Sequence, residues 1–106
     1  PSDWTYTGIR DADGGFKYET NVRTGDTAEL QAIARSYTTV VPLQVTAKLN
    51  GTTVLDRIVS IDGSVTVPIV VDPGNGVNTL QVSFETLHRT DTRYLKIYAP
   101  ESSTDG

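Results

Sequence analysis

The sequence contains no cysteine and no methionine, and it has one histidine and one tryptophan. Without cysteine the chain can form neither disulfides nor thiolate metal sites, and thiol catalysis is excluded. A single histidine argues against histidine-rich metal sites and catalytic triads. The apolar runs, such as Val65–Val71, are of strand length, whereas a membrane helix needs about 18 apolar residues. Acidic residues outnumber basic ones by 13 to 9, and the net charge of −4 argues against non-specific nucleic-acid binding.

The chain length of 106 residues corresponds to a single domain. We predict one β-sandwich domain over residues 1–100, in which residues 1–24 are the hardest to assign, followed by a polar tail over 101–106. No signal-peptide pattern is visible. Pro1 would be a poor residue after a signal cleavage, and loss of an initiator Met is the simpler history. We therefore expect a complete small cytoplasmic product, with a trimmed fragment of a secreted protein as the alternative.

Turn residues separate segments with the two-residue period of β-strands. Leu43–Leu49 alternates apolar and polar residues, as a half-buried strand does, and Thr52–Ile58 is the returning strand. Asn50 and Gly51 between them are typical of a type I′ hairpin turn, whose central residues need positive φ. Further strands are predicted at the ends of the chain and between turns: Trp4–Ile9, Phe16–Val22, Ser64–Val71, Asn78–Glu85 and Arg93–Ala99.

Thr27–Tyr37 fits two patterns, because its apolar residues suit both a strand and a helix, and Asp26 with Glu29 imitates a helix capping box. The surrounding strands favour a strand here. Pro68 lacks an N–H donor, which places its strand at a sheet edge or a bulge. Strands that recur every 8–12 residues indicate an all-β sandwich of about seven antiparallel strands. Its predicted core residues are Leu30, Val45, Leu49, Val67, Ile69, Leu80, Val82, Phe84, Leu95 and Ile97.

The turn and strand pattern between Gly25 and Ala99 resembles a known class of module. Gly25–Ala32 looks like the second strand of many bacterial immunoglobulin-like domains. Leu49–Val54, Gly63–Val67 and Pro73–Val82 resemble the strands and turns of cell-adhesion-related (CARDB-like) immunoglobulin-like modules. The resemblance implies an immunoglobulin-like β-sandwich, and it speaks for fold far more than for function.

The candidate chemical sites are weak, and we predict no catalytic residues, no cofactor and no metal site. Asp11 and Asp13 resemble the opening of a calcium loop, but the later ligands of an EF-hand are missing, so a plain turn is the favoured interpretation. A polar loop is predicted over His88–Thr92, and Ser36 and Ser83 lie in strand-like runs. No Gly-x-Ser-x-Gly motif supports a catalytic role for either serine.

The aromatic residues offer the best candidate site. Tyr94 and Tyr98 flank Lys96 on one face of the last strand, and Trp4 and Tyr6 share a face of the first. Exposed Tyr and Trp suit partner surfaces or sugar rings. We predict that these five residues form an interface, and that Arg93–Ala99 lies at an open sheet edge. The alternative is that the aromatic rings pack against the sheet beneath the N-terminal segment.

Two functions follow from these patterns. The first is a non-enzymatic structural or interaction protein, a small phage virion component such as a capsid decoration (cement) or tail protein. It would assemble in the cytoplasm, reside on the virion surface, and contact either its own copies or a capsid or tail lattice, without nucleic acid or membrane insertion. The alternative is a carbohydrate-binding or adhesive module from a secreted or cell-surface bacterial protein.

Overall fold

The computed structural model describes residues 4–12, 14–23, 25–37 and 40–100, and these residues form strands, turns and loops without a helix. Consequently, the described part of the chain has no helix that could span a membrane. In chain order the strands are β1 (Trp4–Asp11), β2 (Glu19–Asn21), β3 (Ala28–Ser36), β4 (Val41–Leu49), β5 (Thr52–Ile61), β6 (Ser64–Val71), β7 (Gly76–Glu85) and β8 (Thr90–Ala99).

The strands form two sheets around one core. One sheet has the order β1-β3-β6, and the other has the order β2-β8-β7-β4-β5. The predicted all-β sandwich is confirmed, with eight strands in the described residues where about seven were expected. Not every pair is antiparallel, because β2 runs parallel to β8. The ambiguous segment is strand β3, whose inward residues Ala28, Leu30, Ala32 and Ala34 are buried.

The predicted core is confirmed except at one position. Nine of the ten predicted residues are buried, and they come from both sheets. Leu49 is only partly buried, since it ends β4 next to the exposed Asn50–Gly51 turn. The strict alternation along β7 and β8 explains this agreement, because every second side chain of a strand points to the same side of its sheet.

The β4–β5 hairpin turns at Asn50 and Gly51, whose φ angles are 51° and 86°. Leu49 pairs with Thr52, so the turn has two residues and both have the positive φ of a type I′ turn, as predicted. The Asn50 side chain joins this turn to β7: its Oδ1 accepts a hydrogen bond from the Thr79 N–H at 2.9 Å. Its Nδ2 donates to Asn78 Oδ1 at 2.8 Å.

Asn78 is a buried polar residue that the sequence analysis did not single out. Its Nδ2 donates to the Gly74 carbonyl at 2.7 Å, and its Oδ1 accepts from the Gly74 N–H at 3.0 Å. These bonds close the loop before β7, and the bond from Asn50 links that loop to the β4–β5 turn. A buried amide is stable in a core when its hydrogen-bonding groups are paired in this way.

Of the two predictions about sheet edges, the one for β6 is confirmed and the one for β8 is wrong. Strand β6, which contains Pro68, is an edge strand as expected. Strand β8 is not at an edge, because β7 pairs with one side of it and β2 with the other. The N–H of Lys96 donates to the Tyr18 carbonyl at 3.0 Å, and the N–H of Val22 donates to the Tyr98 carbonyl at 2.8 Å. A short parallel strand within the predicted segment Phe16–Val22 therefore covers the supposed edge.

Gly51→Val should lower the free energy of unfolding by about 1–2 kcal/mol, since a β-branched residue resists positive φ. Nothing lies within 4 Å of a Cβ built at Gly51, so the loss would be conformational and not steric. Gly15→Val is the matched control, because Gly15 has equal space and no positive φ. Chemical denaturation measures both variants, and equal losses would contradict the turn assignment.

Candidate interaction surface

Tyr94, Lys96 and Tyr98 lie on the outer face of the five-stranded sheet, as predicted. Leu95 and Ile97 between them are fully buried, so the alternate residues must point outward. Tyr94 is 58% exposed, and Tyr98 is partly buried. Lys96 Nζ donates to Thr79 Oγ1 of the adjacent β7 at 2.9 Å. This part of the predicted interface is therefore available to a partner.

Trp4 and Tyr6 do not belong to that surface, and the prediction that they are exposed is wrong. Each side chain is only 1% exposed. Strand β1 lies in the three-stranded sheet, and its aromatic residues point across the core to Phe84 of β7. The Tyr6 and Phe84 rings meet edge to face with centroids 4.5 Å apart, and the Trp4 ring lies 6.4 Å from that of Phe84. These aromatic residues join the two sheets.

Two arginines from the β7–β8 region cover the buried aromatic residues. The guanidinium carbon of Arg89 lies 3.9 Å from the Trp4 ring centroid, and that of Arg93 lies 4.9 Å from the Tyr6 ring centroid. Arg89 also donates to the Trp4 carbonyl, and Arg93 to the Tyr6 carbonyl at 3.2 Å. Asp91 lies between the two arginines, and its carboxylate is 2.6 Å from Arg93 Nη1. The charged residues thus satisfy backbone groups of the edge strand β1.

The Tyr6 hydroxyl has no hydrogen-bond partner among the described residues, although it is buried. Burial raises the pKa of Tyr6 well above its usual range. The positive charge of Arg93 opposes this rise in pKa, and the negative charge of Asp91 adds to it. The hydroxyl therefore stays protonated and neutral at physiological pH, without a recorded partner to offset its desolvation.

The N-terminal segment contributes different aromatic residues to the surface. Phe16 and Tyr18 follow β1, and Tyr18 is 88% exposed while about half of Phe16 is exposed. They line a cleft of about 180 Å³ together with Tyr94. Lys17 and Arg93 also line it. We call this surface the aromatic cleft, defined by Phe16, Tyr18 and Tyr94, with Lys17 and Arg93 on its walls.

Gly8 allows the aromatic cleft to form. The register of β1 against β3 shifts between Tyr6 and Gly8, which is a β-bulge, and Gly8 has a φ of 151°. The Phe16 ring packs against it so closely that a Cβ at Gly8 would lie 2.8 Å from Phe16 Cδ1. The Lys17 N–H donates to the Ile9 carbonyl at 2.9 Å and fixes the returning chain. Sequence analysis assigned Phe16–Val22 to a strand and overlooked this role.

A second apolar surface lies at the β7–β8 turn. Leu87 is almost completely exposed, and it lines a groove of about 480 Å³ with Pro42 and Ile58. The turn spans residues 86–89, where the Thr86 N–H donates to the Arg89 carbonyl at 2.8 Å. The predicted polar loop over His88–Thr92 is therefore wrong in position, because β8 already begins at Thr90.

Of the two weak metal candidates, Asp11 lies among the described residues. The Asp11 carboxylate forms an ion pair with the Lys17 ammonium, and Asp13 lies outside the described residues. In the described ranges no group of three or more His, Cys, Asp or Glu residues could hold a metal ion. The hydroxyl groups of the two candidate serines contact residues other than His88. Ser83 Oγ lies 2.9 Å from Thr92 Oγ1, and Ser36 Oγ accepts a hydrogen bond from the Gly63 N–H at 3.3 Å.

Tyr6→Phe should leave the free energy of unfolding unchanged or raise it by about 1 kcal/mol, because it removes a buried hydroxyl without a recorded partner. Tyr6→Ala, as the comparison, should lower it by about 3–5 kcal/mol through loss of the ring contacts. Chemical denaturation measures both. A loss of more than about 1 kcal/mol in the phenylalanine variant would show that the hydroxyl has a stabilising partner.

The sequence matches no model of a known protein family, and no curated protein was found to be similar to it. The resemblance to CARDB-like modules therefore remains a prediction.

Proposed function

We propose that this chain is a non-enzymatic structural or interaction protein that docks a protein partner through the aromatic cleft. We further propose that it serves as a small phage virion component, such as a capsid decoration or tail protein. The observation that carries the docking proposal is the concentration of exposed aromatic side chains at one place, where Phe16, Tyr18 and Tyr94 line the same cleft.

Aromatic residues of this kind suit a protein interface. Tyrosine offers a large flat area with few rotatable bonds and a hydroxyl that can remain hydrated, and it is enriched in the cores of interfaces. Leaving such rings in water is unfavourable, so burying Tyr18 and Tyr94 against a partner would remove apolar area from solvent. Tyr98 and Lys96 extend this surface along β8.

The backbone around the aromatic cleft supports a preformed site. Tyr94 lies on β8, which has a paired neighbour on each side, and Phe16 is held by the Arg10–Phe16 bridge. The Tyr18 carbonyl accepts a hydrogen bond from the β8 backbone. A preformed surface binds a partner without the cost of ordering a loop.

Carbohydrate binding is the second candidate, and the same cleft favours it. A sugar ring could stack on Tyr18 or Tyr94, since aromatic faces accept the apolar side of a pyranose. A protein partner would cover the whole of the aromatic surface, including Tyr98, whereas a sugar would need one or two rings. The two candidates therefore differ in how many tyrosines contribute to the affinity.

The test uses Tyr18→Ala, Tyr94→Ala and Tyr98→Ala, with Tyr37→Ala as the matched control because Tyr37 is 57% exposed outside the cleft. The chain is mixed with purified phage capsids and with purified phage tails, and co-sedimentation is measured. Each of the three variants Tyr18→Ala, Tyr94→Ala and Tyr98→Ala should weaken binding about tenfold to a hundredfold, the range of interface hot spots. Tyr37→Ala should bind like the wild type.

The same variants are tested on an oligosaccharide array. Equal binding of all variants to the particles would overturn the docking role of the aromatic cleft. The carbohydrate-binding alternative would be established if the wild-type chain bound a glycan and not the particles, and if Tyr18→Ala or Tyr94→Ala abolished glycan binding. These side chains lie at the surface, so the variants should fold like the wild type. Circular dichroism of each variant checks this.

A further inference from the structure

Most outer strands of the two sheets carry a feature that discourages pairing with another chain. Strand β6 contains Pro68, which cannot donate a backbone hydrogen bond. Strand β1 has its Trp4 and Tyr6 carbonyls occupied by the side chains of Arg89 and Arg93. Strand β2 is only three residues long. Proline, charged groups and shortness are the usual protections of exposed sheet edges.

Strand β5 is the least protected of the outer strands among the described residues. It spans ten residues, and the strand order gives it β4 on one side and no neighbour on the other. It contains neither proline nor lysine, and its basic residue is the exposed Arg57. Its Asp56 carboxylate accepts a hydrogen bond from the Gln44 side chain of β4, which draws that charge away from the open edge. Ile58 on this strand is 69% exposed.

A bulge divides β5 into an irregular and a regular part. Leu55 pairs with Ala47 and Thr53 pairs with Lys48, so Val54 is an extra residue in β5. Bulges interrupt ladder pairing and twist the edge at the place where they occur. From Leu55 to Ile61 the pairing with β4 is regular. The open edge is therefore the segment Leu55–Ile61, and its midpoint is Ile58.

We propose that two copies of this chain pair antiparallel along Leu55–Ile61, with the two Ile58 side chains directly opposite each other. This inference rests on β5 alone and is independent of the function proposed for the aromatic cleft. The pairing would complete the backbone hydrogen bonds of the open edge and bury both exposed isoleucines. The five-stranded sheets of the two copies would become one continuous sheet.

The charges of β5 and the length of its regular segment together select this register. In a symmetric antiparallel pair the residue at the centre faces its own copy, and opposite residues share a face of the sheet. A centre at Asp56 or at Arg57 would place like charges directly opposite each other, which is destabilising. A centre at Ile58 places Asp56 opposite Ser60 and Arg57 opposite Val59. It also uses all seven residues of the regular segment.

The dimer would leave both aromatic clefts open. In the strand order β2-β8-β7-β4-β5, strand β8 is separated from β5 by two strands. A dimer joined at β5 would therefore present two clefts at the two far ends of the joined sheet. Two linked sites bind a repeating lattice more strongly than one, provided that their spacing fits the lattice.

Ile58→Cys tests the register, because the natural chain has no cysteine and the new thiol would be unique. Opposite α-carbons in an antiparallel pair lie about 4.5–5.5 Å apart, within the span of about 4.4–6.8 Å that a disulfide bridges. Val70→Cys is the matched control, since Val70 is 59% exposed on β6, an edge strand of the three-stranded sheet. Mild oxidation should cross-link the first variant into dimers and leave the second mainly monomeric.

Ile58→Lys and Val70→Lys form a second pair, measured by sedimentation of the full chain over a concentration series. The first should raise the dimer dissociation constant about tenfold or more, and the second should leave it unchanged. Equal cross-linking of the two cysteine variants would overturn the proposal. A wild-type chain that sediments as a monomer up to about 1 mM would also overturn it, as would a dimer that tolerates lysine at Ile58.

Discussion

The contact of Phe84 with Trp4 and Tyr6 is the interaction on which the sandwich depends. It joins β7 in the centre of one sheet to β1 at the edge of the other, across the full thickness of the core. Aromatic rings of this size remove more apolar area from water than any other side chains, and tilted arrangements such as these are favourable. Without them β1 would contact the larger sheet mainly through smaller side chains.

The surface around these rings follows from their position at an edge. Without a neighbouring strand, the outer side of β1 would leave carbonyls and aromatic rings uncovered, and arginine can cover both at once. Its planar guanidinium stacks on a ring while its N–H groups donate hydrogen bonds. Arg89 and Arg93 do both, and Asp91 balances their charge. Arg89, Asp91 and Arg93 occupy alternate positions on the same side of the chain as the buried Leu95 and Ile97. Their mutual ion pairs mean that no unpaired charge is buried there.

The five-stranded sheet is chemically different at its two ends. At the β2–β8 end the backbone is paired and the exposed groups are aromatic side chains, so recognition there would depend on surface rings. At the β5 end the outer side of the strand has no partner among the described strands, so recognition there would depend on backbone donors and acceptors and on the exposed Ile58 side chain. Side-chain surfaces and open strand edges attract different kinds of partner. The same sheet can therefore serve two separate contacts.

Sequence alone determined the strand segments, the Asn50–Gly51 turn and almost the whole core, because these depend on local alternation and backbone preference. The sequence also indicates the position of Trp4 and Tyr6, although the prediction did not use this pattern. They alternate with threonines, so they form the apolar face of β1 and should point inward. In β8, Leu95 and Ile97 already occupy that face, which leaves Tyr94 outside. Only the tertiary structure decided which strands are neighbours. Three features join residues that are far apart in the chain: the parallel β2–β8 pair, the arginine contacts to β1, and the cleft that Phe16 shares with Tyr94. A two-residue period carries no information about such contacts.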